Sequence, residues 1–171
     1  IRVIIMTAAF NTKINYTCRQ GSEKDAEGIH KLMQAAFADY GKTKNKNKKI
    51  INSALKEELA DVENDIEKNI VMVMLDGSKV IASLRLEEVS DKRYLLKRFA
   101  VAPDYQDHGL GSTLFSQAAD KLREIGAKYV QLYSSLENEK LINFYKGLGF
   151  NCLETDHKKG YERGLWVKTL T

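Results

Sequence analysis

From Ile14 onward, short runs that alternate apolar and polar residues are separated by stretches in which apolar residues return every third or fourth position. Residues 14–19 alternate and predict a strand. Behind them Ala26, Ile29, Met33, Ala36 and Phe37 recur at helical spacing. Ser22 with Asp25 three positions on resembles a capping box, and Gly41 is the expected stop. A second helix is expected from Ile51, Leu55, Leu59, Val62 and Ile66, a narrow apolar stripe. Glu57, Glu58, Asp61, Glu63, Asp65 and Glu67 crowd the surface that the stripe leaves. Three strands then follow as a meander through 69–103, with a tight turn at Asp76-Gly77 and a stop at Pro103, which has no N–H to give to a ladder. Leu114, Phe115, Ala118, Ala119, Leu122 and Ile125 make an amphipathic helix ending at Gly126. A strand at 127–135, a short helix at 137–149 closed by Gly149, and strands at 150–155 and 163–170 complete the chain. The predicted order is βααβββαβαββ. This is a mixed α/β (α+β) fold with a central, mostly antiparallel sheet flanked by helices.

Length and composition narrow the class without naming a function. A chain of 171 residues with 43% hydrophobic and 29% charged positions suits one soluble domain, expected at 14–171, with 1–13 as an N-terminal extension. A net charge of +4 is mild, so charge alone names no nucleic-acid partner. The segment 42–49, "KTKNKNKK", carries five lysines and no aromatic residue, which favours a solvated loop over a base-stacking surface. Cys18 and Cys152 fit no zinc or redox spacing, so two free, buried thiols in a reduced cytoplasm are expected. His30, His108 and His157 form no ligand cluster, and no metal is expected. "IRVIIM" is too short to span a membrane and no small-residue cleavage pattern follows it. Met6 reads as a candidate start, with residues 1–5 of uncertain origin.

One stretch has a chemical meaning. In "APDYQDHGLGSTLF" a strand ends, Gly109 and Gly111 follow, and a helix begins at once. That arrangement gathers unpaired backbone N–H groups at the positive end of a helix dipole, where phosphate binds, and Ser112 adds a hydroxyl. A Walker loop is excluded because no Gly-Lys-Ser/Thr follows, and the third glycine of a dinucleotide fingerprint would fall at Leu114.

The same stretch resembles the signature of the GNAT superfamily of N-acetyltransferases, with Val101, Pro103, Gln106, Gly109 and Gly111 in register. "NEKLINFYKGLGF" resembles a second motif of that family through Asn138, Tyr145, Gly149 and Phe150, with Leu141 where alanine is frequent. The resemblance, covering about 14–170, implies a GNAT-like fold and acetyl-coenzyme A as cosubstrate. The backbone amides of Gln106, Asp107, His108, Gly109, Leu110, Gly111 and Ser112 would hold the pyrophosphate, and Phe99, Ala100 and Val101 would run beside the pantetheine arm. Tyr145 would be the general acid facing the sulfur, and Asn138 would bond the coenzyme or an ordered water while also serving as a helix N-cap.

The implied reaction is direct attack of a primary amine on the thioester. Such an amine must first lose a proton, and the departing thiolate benefits from an acid. Many family members place a glutamate on the strand before the glycine loop, but here it reads "YLLKRFAV" and has none. The candidates for a base are Glu87, Glu88, Glu57, Asp61 or a water relay. A small cationic amine or a protein amine fits as acceptor. Two further readings remain open: a catalytically silent acyl-CoA-binding sensor, and an RNA-binding module built on the lysine loop. A homodimer is one use for the apolar C-terminal strand "GLWVKTL".

Overall fold

The computed structural model describes residues 2–7, 13–38 and 53–171, with side chains from residue 15 on. Gly41, the lysine loop at 42–49 and Ile51 lie outside the described residues. The chain forms two compact units, one made of Ile1–Arg85 with Arg98–Leu114, the other of Leu86–Lys97 with Phe115–Thr171.

In the first unit β1 (Arg2–Thr7) pairs antiparallel with β2 (Lys13–Gln20), from Arg2 opposite Cys18 to Thr7 opposite Lys13. The segment expected as an extension therefore adds a strand ahead of the predicted order. β3 (Ile70–Asp76), β4 (Lys79–Ser90) and β5 (Arg93–Val101) follow as the expected meander, and the hydrogen-bonded order is β1-β2-β3-β4-β5. Strands β4 and β5 run through both units. Between β2 and β3 lie α1 (Ala26–Phe37) and α2 (Leu59–Lys68). They place Ile29, Leu32, Met33 and Val62 in one core with Val71, Val73 and Leu75 of β3. Burying apolar area of this kind contributes about 25 cal/mol per Å².

Ahead of α1 the predicted capping box is present between Ser22 and Asp25. The Asp25 carboxylate accepts from the Ser22 amide at 2.7 Å and from the Ser22 hydroxyl at 3.1 Å. Arg19 then closes on Asp25 through two bonds of 2.7 and 2.9 Å.

In the second unit the order is β4-β5-β6-β8-β7, with β6 at Tyr129–Ser135, β7 at Asn151–Asp156 and β8 at Arg163–Thr169. The C-terminal strand β8 is antiparallel to β6 on one side and β7 on the other, so it has no edge to offer a second copy. The edge strand is β7, and Leu153 bulges out of its pairing between Cys152 and Glu154. Helix α3 (Leu110–Glu124) buries Leu114, Phe115, Ala118, Ala119 and Leu122 as predicted, whereas Ile125 lies beyond its end and is exposed. Helix α4 (Glu139–Gly147) precedes β7. Among the described residues no helix is long and apolar enough to cross a membrane.

The two cysteines part company. Cys18 is buried, as expected, but Cys152 is exposed on β7, where side chains on both faces of the strand are open to solvent. Burial pushes the Cys18 thiol up to about 11. Its stabilising contribution is complete below the unfolded thiol value and is lost as pH rises through about 11. Alkylation of the native protein at pH 8 should label Cys152 within minutes and leave Cys18 unmodified. Mass spectrometry after quenching checks this, and labelling of both at equal rates would contradict it.

Candidate active site

β5 ends at Val101, a 3-10 turn spans Pro103–Tyr105, and α3 starts at Leu110. Two residues in the intervening loop take left-handed backbone angles, Asp107 at φ 62° and Gly109 at φ 75°. Alternation of such residues makes a concave nest of N–H groups that suits an anion. The Gly109 carbonyl accepts from the Thr113 amide and the Thr113 hydroxyl, each at 3.1 Å, which sets the helix start. The amides of Leu110, Gly111 and Ser112 then form the first turn, where no carbonyl of the helix reaches them.

Two predicted contributors are partly engaged within the loop. The Gln106 amide donates to the Pro103 carbonyl at 3.4 Å, and its side-chain Nε2 donates to the Val101 carbonyl at 3.1 Å. His108 is turned back, with Nδ1 donating to the Gln106 carbonyl at 2.6 Å. The loop is moored from below by Tyr105, a residue whose role sequence reasoning missed. Its hydroxyl donates to Asp76 at 2.8 Å, and Lys79 sits 5.1 Å from its ring centre. The bond to Asp76, reinforced by burial, raises the Tyr105 pKa above its ordinary value.

β5 changes character along its length. Parallel pairing with β6 runs from Arg93 opposite Tyr129 to Leu95 opposite Gln131. β6 continues to Ser135, paired with β8 along its full length. Further along β5, Arg98 takes φ 52°, a left-handed angle that a residue with a Cβ rarely adopts inside a strand. Phe99, Ala100 and Val101 come directly after it.

Tyr145 and Asn138 stand in the second unit. The Tyr145 ring is half-buried and meets buried Phe150 edge-on, with centroids 5.9 Å apart and planes at 75°, and lies 5.3 Å from Phe144. The ring is thus held by packing on the helix that the second motif supplies. Asn138 is the N-cap of α4, its Oδ1 accepting from the Leu141 amide at 3.2 Å.

The candidate bases all have other partners. Glu57 is not on the solvent face of an acidic helix. It precedes α2, is buried, and takes two bonds from Arg85, at 2.6 and 2.7 Å. Asp65, read as a surface residue of the same helix, is buried too and accepts from Arg85 at 2.7 Å. Burial opposes the Arg85 charge, but its bonds to the two carboxylates outweigh that and raise its pKa. Asp61 accepts from the Glu58 amide at 2.9 Å at the start of α2. Glu87 pairs with Lys97 at 2.7 Å. Glu88 bonds the Tyr94 hydroxyl, whose pKa is raised by burial first and by that carboxylate second.

Comparison with known proteins shows the class of the chain. The Acetyltransferase (GNAT) family profile matches residues 29–150. The chain belongs to the GNAT acetyltransferase family. It is 25% identical over 159 residues to an uncharacterised N-acetyltransferase of Methanocaldococcus jannaschii, covering 90% of this chain and 68% of that one. It is 32% identical over 88 residues to the ribosomal-protein-bS18-alanine N-acetyltransferase of Escherichia coli, covering 52% of this chain and 59% of that enzyme. In structure it is similar to the PaiA N-acetyltransferase of Thermoplasma acidophilum, solved in complex with coenzyme A. That likeness has a TM-score of 0.77 at 20% identity and covers 90% and 98% of the two chains.

Proposed function

We propose that the protein transfers an acetyl group from acetyl-CoA to a primary amine by direct attack. The observation that carries this reading is the loop between β5 and α3, where left-handed Asp107 and Gly109 lead into the open first turn of a long helix. In this reading the amides of 106–112 hold the pyrophosphate, those from Leu110 to Ser112 contributing most because Gln106 is already engaged. Phe99, Ala100 and Val101 align the pantetheine arm. A backbone N–H of that stretch donates to the thioester oxygen as it becomes an oxyanion, a contribution of several kcal/mol, about 2.7–4, where it has been removed elsewhere.

The amine nitrogen bonds to the carbonyl carbon, the tetrahedral intermediate collapses, and the C–S bond breaks. Tyr145 gives its proton to the departing sulfur. Asn138 caps α4 and keeps that helix start in place for Tyr145. Because Glu57, Asp61, Glu87 and Glu88 each hold another partner, the amine proton passes to water. The acceptor is a small cationic amine or a protein amine. The E. coli relative, whose acceptor is a protein alanine, supports the second class.

Thermal unfolding with and without acetyl-CoA tests the reading, with ATP and NAD as controls. A ligand at 100 times its dissociation constant adds about 2.7 kcal/mol, which for a chain of this size raises the midpoint by roughly 5–10 °C. A shift with acetyl-CoA alone supports the assignment. No shift at saturation overturns it.

A further inference from the structure

We propose that Glu57 is a positioning residue, whose buried carboxylate holds Arg98 in its left-handed conformation and so shapes the coenzyme-binding stretch Phe99, Ala100 and Val101. The inference rests on the function proposed above. Its starting point is an outlier: Arg98 has φ 52° inside a strand, and such a residue persists only where its surroundings over-determine it.

The surroundings do so. Arg98 Nε donates to Glu57 Oε1 at 3.1 Å, and Arg98 Nη1 donates to the Ser53 hydroxyl at 3.3 Å. Glu57 cannot move to follow a relaxing arginine. Its side chain is 3% exposed, both its oxygens are gripped by Arg85, and its backbone carbonyl accepts from His30 Nε2 of α1 at 2.9 Å. Arg85 in turn is anchored on Asp65, which Asn69 bonds at 2.7 Å. Two arginines and two carboxylates make a set with no net charge, in which Arg98 alone belongs to the coenzyme strand. Buried ion pairs are weak sources of stability compared with apolar packing, so a cluster of this kind is better explained by the conformation it imposes.

Glycine separates conformation from charge, because it adopts positive φ without help. Acetyl-CoA affinity should be measured by calorimetry, beside the unfolding midpoint, for wild type, Arg98→Gly, Arg98→Ala, Glu57→Gln and the double variant Glu57→Gln/Arg98→Gly. Arg98→Gly should bind within about threefold of wild type, whereas Arg98→Ala and Glu57→Gln should each weaken binding about tenfold or more. The double variant should return to the affinity of Arg98→Gly, even if its midpoint stays low. Equal affinities for the glycine and alanine variants would overturn the proposal, as would a double variant no better than Glu57→Gln. Should Glu57→Gln fail to fold, the two Arg98 variants still decide, since they leave the Glu57–Arg85 pair in place. Wild-type protein that does not bind acetyl-CoA would overturn the proposed function and this inference together, a result distinct from any pattern among the variants.

Discussion

Gly109→Val should abolish detectable acetyl-CoA binding, a loss of at least about 100-fold in affinity, in a protein that still folds. The reason is conformational. A Cβ at Gly109 would meet nothing within 4 Å among the described residues beyond its own chain neighbours, so there is room for it, but the φ of 75° is one that a β-branched residue avoids. Holding valine there costs about 1–3 kcal/mol, which a folded domain of this size survives with a midpoint lowered by several degrees. Relaxing the strain instead dismantles the nest and displaces the first turn of α3, which the Gly109 carbonyl starts through Thr113. Gly126→Val is the matched control. Gly126 has φ 78° and equally open surroundings, but it closes α3 at its other end. Both variants should lose similar stability, and only Gly109→Val should lose the coenzyme. Calorimetric titration with acetyl-CoA decides; unaltered affinity in Gly109→Val would remove the phosphate-loop assignment.

Tyr145→Phe should lower turnover by roughly 100-fold, the low end of what a positioned acid contributes, because a thiolate is already a fair leaving group. Coenzyme affinity should change by less than about threefold, since the ring and its edge-on contact with Phe150 remain. Steady-state rates with saturating acetyl-CoA and an amine found by screening for thiol release measure the loss of turnover. Full activity across the pH range would show that the sulfur leaves without this acid.

The parts of the site legible in the sequence are those that only certain residues can build. A turn needing positive φ shows itself as glycine, and a helix starting directly after a strand shows itself in the spacing of Leu114, Phe115, Ala118 and Leu122. Arg98 also takes positive φ, yet nothing in its chemistry announces it, because its conformation is imposed by the surroundings. The same holds for Glu57 and Asp65. In a run of acids on a helical pattern each reads as solvated, and the arginine that buries them lies 28 and 20 residues away on β4. Tyr105 was hidden for a related reason, its partner Asp76 being 29 residues back in a hairpin turn. β1 was missed because a short apolar run before a polar one is equally consistent with a tail, and only its antiparallel register with β2 makes it a strand.

The bulge at Leu153 bears on how the protein behaves at high concentration. A flat outermost strand offers its unpaired N–H and C=O groups to any other strand, and growth of that kind ends in fibrils. On β7 the extra residue interrupts the regular ladder. Chains meeting there edge to edge face a broken register, so this margin of the second unit is built to discourage cross-β growth.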